Sequence, residues 1–567
     1  MSDWQSQKWV DTLRKVSNHT DVWKLAKALK RQTNTTPPLT TEAGTANSAE
    51  EKATAISSHF EKVHQQNDHM GDPTDATRIS EGLKTYLQNA PDTPITPTTP
   101  QEIRSIIKSR HPRKAPGPDG IQNVVMQHLP RKAIAYLTVL FNACLSLAYF
   151  PAEWKHANVL PFPKPGKDNT LPQNYRPISL LSAPSKILER IINTRLLAHL
   201  DIGHRLNHQQ FGFTKGCSTT HQVARLADYI TDGFNRGLHT GVVMLDASAA
   251  FDTVWTEGLL FKMAEMEFPA RLIKLLHSYL TSRSFHVTLE GAISPVREAK
   301  KGTPQGSILG PVLYIIYVND IPRPGRALLA QYADDTAAYY QAEDFPTLVR
   351  HLQRTLDDLL QYFWRWRIKI NAQKTEAVLF SKRPVDAADD HLLHVDATPL
   401  PWLRQARFLG VILDRGMTFG AHTQHIQKKA AGAMSVIYPM IRRSSAISQD
   451  IKVRLALAYV RPIMTYAAPA WTGMASNTNL SKLQIIQNKY LRWALNLKPL
   501  TNMKTAHKQH NVQLIGDHIM KLTTHFYEKC HTHTNPHILA LGEITPETAT
   551  YKLKHKTPTY RLMQQNA

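Results

Sequence analysis

Residues 331–340, QYADDTAAYY, set Asp334 and Asp335 side by side between short apolar runs. Adjacent carboxylates repel, so the chain must fold this pair either into a solvated turn, where aspartate is at home, or around something positive. The same sequence holds two pairs of the first kind: Asp357-Asp358 in RTLDDLLQ suits an exposed helix face, and Asp389-Asp390 in DAADDHLL suits a loop. A second segment, GVVMLDASAAFDTVW (241–255), separates the first pair from these. It begins as an apolar, β-branched run of strand length, ends that run at Asp246, then changes to a pattern that can open a helix. Charged groups enter cores only when paired or metal-bound. A buried strand ending in Asp246 and a hairpin tip carrying Asp334 and Asp335 can therefore meet on adjacent strands, and three converging carboxylates call for divalent cations. Magnesium takes oxygen ligands and is typically held by one or two carboxylates plus substrate phosphates. Two such ions, about 3.5 to 4 Å apart, clamp the attacking and leaving oxygens of a phosphoryl displacement.

The charge of the chain agrees with a polyanionic partner. Its 68 Lys+Arg against 45 Asp+Glu give a net +23, a field that attracts nucleic acid first and an anionic membrane surface second. Residues 441–567 alone hold 17 basic against 5 acidic residues, a net +12. With 567 residues, two to four packed units are expected. Cys144, Cys217 and Cys530 lie far apart without a Cys-x-x-Cys spacing, which points to a reducing compartment and to neither disulfides nor structural zinc. HFYEKCHTHTNPH (525–537) gathers four His around Cys530, but its irregular spacing reads as a polar loop. The first residues show no secretion signal. The twenty uncharged residues 133–152 reach spanning length, yet Leu137, Leu140, Phe141, Leu145 and Ala148 recur at three to four, the pattern of a buried core helix rather than a membrane span.

Along the chain, amphipathic helical patterns surround Trp9/Leu13/Val16 and Trp23/Leu29, and a third ends in SHFEKVHQ. Two Thr/Pro-rich stretches, TNTTPPLTTEAGT and NAPDTPITPTTPQEI (89–103), read as linkers that bury nothing. RKAPGPDGI (113–121) is a turn-dense entry to a long mixed α/β region, with Gly117 and Gly120 suited to tight turns.

The order and wording of the segments then become informative. LDASAAFDTVW, GTPQGSILGPVLYIIYVNDIP (302–322), YADDTA (332–337), INAQKTEAVLF (370–380) and RFLGVILD (407–414) resemble the palm motifs of reverse transcriptases of non-LTR retrotransposons of the jockey-like or related kinds. Upstream, LPFPKPGKD, NYRPISLLSAPSKILERII and FGFTKGCSTTHQ resemble the fingers segments of the same family, so the match runs from about Lys114 to Asp414. The resemblance implies an α/β (α+β) right-hand polymerase with fingers, an antiparallel-sheet palm and a helical thumb. It implies that Asp246, Asp334 and Asp335 are catalytic metal ligands, with the Ala247 carbonyl contributing, for two Mg²⁺ ions that Mn²⁺ can replace. Phe251 matches the ring under the nucleotide sugar that rejects a 2′-OH. Gln305 and Gly306 match a turn beside the template–nucleotide pair, Arg176 and Lys164 match cations holding the triphosphate, and Lys374 matches a cation near the leaving pyrophosphate. Phe408, Leu409 and Gly410 match the hairpin that positions the primer end. The implied activity is RNA-directed DNA synthesis from a DNA 3′-OH primer, with RNA template, target DNA and dNTPs as partners and no membrane. The implied location is the nucleus during action and a cytoplasmic ribonucleoprotein before it.

Three positions depart from the family habit: Ala249 where Lys is usual, and Thr303 and Gly310 where Val and Ser are frequent. None is a metal ligand. About 100 residues precede the fingers without an endonuclease pattern, so a polymerase lacking its nicking domain is expected. The expected division is a helical N-terminal extension with Thr/Pro-rich linkers (1–100), fingers and palm (101–414, core about 145–414), helical thumb (415–499) and a basic C-terminal tail (500–567). Tyr490 and Trp493, beside Lys489 and Arg492, can stack on bases or pack in a helix. Two other classes share parts of this signature: a non-catalytic RNA-binding remnant and an RNA-dependent RNA polymerase, the latter disfavoured by Phe251.

Overall fold

The computed structural model describes residues 35–542 apart from 43, 66–68, 203–204, 324 and 386–390, together with 555–559 and 562. The helical patterns around Trp9 and Trp23 and the Asp389-Asp390 pair lie outside these residues. The first Thr/Pro stretch does not behave as a linker. It forms a hairpin of β1 (Leu39–Thr41) and β2 (Gly44–Ala46), and Leu39 is fully buried. One well-placed leucine anchors a stretch whose average composition argued against burial. The helix Ala49–Val63 follows, started by a capping box in which Ser48 and Glu51 satisfy each other's backbone N–H. Its Ala53, Ile56 and Phe60 pack with Leu39 onto Val159, Phe285 and Val287 of the fingers sheet. The second stretch also packs: buried Thr98 receives Asn142 at its carbonyl and donates its N–H to the same side chain, just before the helix Pro100–Ser109.

The fingers sheet uses β3 (His156–Pro163) and β4 (Tyr175–Leu180). After β5 (His239–Leu245) the chain returns to it with β6 (Arg283–Leu289), β7 (Ala292–Ile293) and β8 (Arg297–Ala299). Its order is β4-β3-β6-β7, with β8 paired to β6. Strands β9 (Leu328–Tyr332), β10 (Asp335–Ala342) and β11 (Glu376–Phe380) belong with β5 to the palm. Short β12 (Leu393–Val395) and β13 (Thr398–Leu400) pair with each other, β14 (Trp402–Leu403) closes the palm edge, and β15 (Gln405–Phe408) and β16 (Val411–Asp414) form a separate hairpin. The palm order is β14-β11-β5-β10-β9, with β5 antiparallel to both β10 and β11. Both faces are covered. Val243, Ala338 and Leu379 pack under the helix Phe345–Arg365, while Val242, Tyr339 and Val378 pack with the helix Thr219–Arg236 and the thumb. That double burial explains the unbroken apolar run at 242–245.

Asp357 and Asp358 are exposed on the helix Phe345–Arg365, as a solvated pair should be. The helix Arg131–Leu147 buries Ile134, Phe141, Cys144 and Leu145, and Leu137 and Ala148 pack against the same core, but Leu140 lies at the edge of the stripe and faces solvent. No helix among the described residues is long and apolar enough to cross a membrane. In the thumb, the helices Gly420–Ile441 and Asn477–Ala494 share a core with the palm. Tyr490 is fully buried and Trp493 meets the Tyr438 ring edge-on at 4.9 Å, so these rings pack rather than face bases.

The reading of residues 500–567 as a tail requires correction. They contain the helices Met503–Gln509, Ile515–Cys530 and Pro536–Gly542, and the second buries Ile515, Ile519, Thr523, Tyr527 and Cys530. Basic residues on the outer face masked a core stripe at helical spacing. Part of the His-rich stretch is thus helical rather than a loop, and its His residues and Cys530 form no cluster able to hold a metal among the described residues.

One buried acid gives the fold a measurable pH dependence. Glu189, fully buried on the helix Ala183–Asp201, accepts from the Ile308 and Leu309 N–H groups at 2.6 and 3.4 Å, where the helix Gly310–Tyr317 begins. Burial pushes its carboxyl up to about 7 from an ordinary 4.5. Between those values the folded chain binds more protons than the unfolded one, so stability falls as pH rises through that window. Read as the change of melting temperature between about pH 5 and 8, this slope is expected to become shallower in Glu189→Gln, with buried Asp252, pushed up to about 6, supplying part of what remains. An unchanged slope would show that Glu189 is not its source.

Candidate active site

Strand β5 stops at Leu245, and the register Thr336↔Leu245 leaves Asp335 and Asp246 one step beyond, at the same end of neighbouring strands. The β9–β10 pairing closes at Tyr332↔Asp335, so Ala333 and Asp334 are the two turn residues, with Ala333 at φ 58°. The carboxylates feel one another. Burial raises the Asp334 pKa, with the Asp246 charge acting in the same direction and Arg176 opposing. Desolvation by the surrounding protein, then the charges of Asp334 and Asp246, push Asp335 up to about 6 although part of its surface still reaches solvent. Lys374 lies 3.4 Å from Asp246 Oδ2. The donors are hard oxygens, and their mutual repulsion is the condition a divalent cation relieves, so the residues fit such an ion. They are not drawn into a closed cage. Instead they stand at one strand end and one turn, with Asp335 exposed.

The turn is held by residues to which sequence reasoning assigned no role. Gln210 Oε1 accepts from both the Gly212 and Ala333 N–H groups at 2.8 Å, and the Phe211 N–H donates to the Gln331 carbonyl at 2.9 Å. A Cβ on Gly212 would overlap the backbone nitrogen of Ala333. These contacts join positions more than 100 apart, which no local pattern reveals; the FGF wording was the available signal. Gly212→Ala is expected to push the aspartate turn aside and slow synthesis about a hundredfold, the cost of roughly 1 Å of misplacement. Steady-state incorporation measures this, and wild-type rates in the variant would refute it.

Beside the turn lies a floor. Phe251 stacks on buried Tyr314 with centroids 4.5 Å apart and meets Phe213 edge-on at 6.0 Å. Gln305 Nε2 donates to Asp252 Oδ2 at 2.7 Å, and the Gln305 carbonyl accepts from Ser179 N–H at 2.8 Å. Gly306, at φ 109°, has the Ser179 carbonyl 2.9 Å from where a Cβ would stand, so the glycine serves close approach to β4. Thr303 donates its N–H to the Phe251 carbonyl, Gly310 donates its own to Ser307 Oγ, and Ala249 turns at φ 50°.

Cations complete the cleft. Arg176 is exposed on β4, and Lys164 Nζ donates to the Gln173 carbonyl at 2.8 Å. Burial lowers the Lys164 pKa, and the charges of Lys374 and Arg176 lower it further, which places the three cations near one another. Ala247 bridges to Ile370, and the Asp246 carbonyl accepts from Asn371 N–H at 2.8 Å, fixing the strand end against the loop that carries Lys374. The hairpin with Phe408, Leu409 and Gly410 is separate. Leu409 and Gly410 turn at φ 45° and 85°, and the Leu409 carbonyl accepts from Tyr466 of the thumb at 2.9 Å.

The sequence from 162 to 413 matches the family described as reverse transcriptase (RNA-dependent DNA polymerase). Residues 162–413 are a reverse transcriptase domain. Over 549 residues the chain is 33% identical to the probable RNA-directed DNA polymerase from transposon BS of Drosophila melanogaster, covering 94% of this chain and 59% of that protein. It is 31% identical over 536 residues to the corresponding protein of the X-element of the same organism, covering 93% and 58%. It is 29% identical over 542 residues to the RNA-directed DNA polymerase from mobile element jockey of Drosophila funebris, covering 94% and 58%. The chain thus spans under two thirds of the length of these relatives, which are jockey-like and other non-LTR transposon polymerases. The strand arrangement of residues 162–413 is the one expected from the motifs for a right-hand polymerase, and a domain of this family implies dependence on a divalent metal.

Proposed function

We propose that this chain copies RNA into DNA for a non-LTR retroelement, extending a DNA 3′-OH primer at target DNA with dNTPs. The observation that carries the reading is the placement of Asp246, Asp334 and Asp335 at one end of β5 and β10, with Lys164, Arg176 and Lys374 close by. The three aspartates and the Ala247 carbonyl would hold two Mg²⁺ ions, or Mn²⁺ in their place, which supply charge stabilisation to the attacking and leaving oxygens. Arg176 and Lys164 bind the triphosphate, and Lys374 sits on the side from which pyrophosphate leaves. Phe251, backed by Tyr314, presents its ring to the sugar. Gln305 and Gly306 form the platform for the templated pair, and Phe408, Leu409 and Gly410 position the primer end. Residues 101–414 act as fingers and palm and 415–499 as thumb, and the protein works in the nucleus after cytoplasmic assembly with its RNA.

Purified protein given primed RNA, Mg²⁺ and either dNTPs or NTPs tests this directly. DNA synthesis supports the reading; RNA synthesis would favour an RNA polymerase, and binding without synthesis a non-catalytic remnant. Phe251→Val is expected to raise the use of NTPs relative to dNTPs by about tenfold, since a pocket relieved of bulk loses discrimination on that scale. An unchanged ratio of kcat/KM values would remove Phe251 from the sugar site.

A further inference from the structure

The helix Ala49–Val63 ends at His64, whose ring is buried against Phe285, centroids 5.8 Å apart. Its Nδ1 faces two carbonyl oxygens, those of Asp252 at 3.2 Å and Lys301 at 3.1 Å. Carbonyls only accept, so Nδ1 carries the proton and donates to both. Burial and the nearby Arg283 hold this imidazole down at about 4, which keeps it neutral near pH 7. The two carbonyls belong to segments that run in direct contact: Gly302 donates to the Val254 carbonyl, Thr303 donates to that of Phe251, and a Cβ on Gly302 would overlap the Asp252 backbone. Asp252, itself buried, receives Gln305 on its carboxylate. A leucine would fill the same space against Phe285. An imidazole costs desolvation there, and what it adds is a donor shared between the segment bearing Phe251 and Asp252 and the segment leading to Gln305.

We propose that His64 is a positioning residue for nucleotide addition, through which the N-terminal helix fixes the Asp252–Gln305 pair beneath the incoming nucleotide. The inference rests on the polymerase reading. It gives residues 49–64 a part in nucleotide binding, exerted from beneath the fingers sheet and without touching substrate.

The test is steady-state incorporation on primed RNA by full-length protein, with template–primer affinity and melting temperature measured alongside. His64→Phe keeps a ring but no donor, His64→Ala leaves space and no donor, and His64→Asn puts an amide N–H close to where Nδ1 lies. Both donor-less variants are expected to raise KM for dNTP about tenfold, the scale of leaving the buried Asp252 carbonyl unpaired while the Lys301 carbonyl keeps its bond from Arg283 Nη2, with kcat and template–primer affinity within about twofold. His64→Asn should restore KM, and in a Gln305→Ala background the donor-less changes should add nothing further. Equal loss in all three variants, or an undiminished penalty without Gln305, overturns the proposal. If wild type incorporates and KM is unchanged in both donor-less variants, this inference alone fails. A wild type that incorporates no nucleotide overturns the polymerase reading and this inference with it.

Discussion

Asp334→Ala should slow nucleotide addition about a thousandfold, a loss of ~4 kcal/mol of transition-state stabilisation, while RNA binding stays near wild type. The two readouts separate because of where the residue sits. Asp334 is a turn residue between β9 and β10, half-buried and outside the palm core, so its loss removes the proposed metal ligand without opening a cavity. Its removal also withdraws one of the charges that push Asp335 up to about 6. A raised carboxyl disfavours the folded state above that pH, so the variant is expected to melt slightly higher at pH 7 even as it loses activity. Asp357→Ala, on the exposed helical pair, serves as the control and should change neither quantity. Single-turnover incorporation decides the matter: residual activity above roughly a tenth of wild type is incompatible with a metal ligand.

The gathering of three aspartates at one end of the palm was legible because strand pairing brings together residues that the sequence already marks as anomalous. An apolar run ending in Asp246 and a hairpin tip of two aspartates each violate the rule that cores exclude charge, and the register of β5 with β10 joins them. What holds them was not legible. Gln210 and Gly212 act on Ala333, Asp252 on Gln305, and His64 on Asp252 and Lys301, in each case across more than fifty residues and, apart from the Asp252–Gln305 side-chain pair, through backbone atoms common to every residue. Composition misled in the outer segments for a related reason. The TNTTPPLTTEAGT stretch averages polar, yet Leu39, facing buried Ala46 across the hairpin, anchors it, and exposed Leu140 shows that spacing gives a stripe without saying which edge of it meets the core.

Truncation after Pro499 is the second change expected to have a large effect, and the expectation is loss of the fold rather than loss of a grip. The deletion removes Ile515, Ile519, Tyr527, Cys530 and Ile538, all buried in the core shared by thumb and palm. Each such side chain contributes about 1.5 to 3 kcal/mol by burial, so together they rival a net stability of about 5 to 15 kcal/mol. The lost helices also brace the site. His221 stacks on Phe526 at 4.8 Å, and Asn535 Nδ2 donates to the His208 carbonyl at 2.9 Å, two residues before the Gln210 that clamps the aspartate turn. The truncated chain should therefore melt at much lower temperature or fail to accumulate in soluble form, and what survives should incorporate nucleotide poorly even at saturating substrate. The phosphate-binding role of the same region needs a gentler change. Lys504, Lys508, Lys521 and Lys529 are exposed on these helices, and replacing all four by Gln leaves the buried stripe intact. If they neutralise phosphates, the slope of log K against log salt should become shallower by about 0.9 for each lysine in contact, with melting temperature unchanged. A truncation that melts like wild type would show that these helices are dispensable to the core, and superimposable salt slopes in the four-lysine variant would show that their charge serves solubility alone.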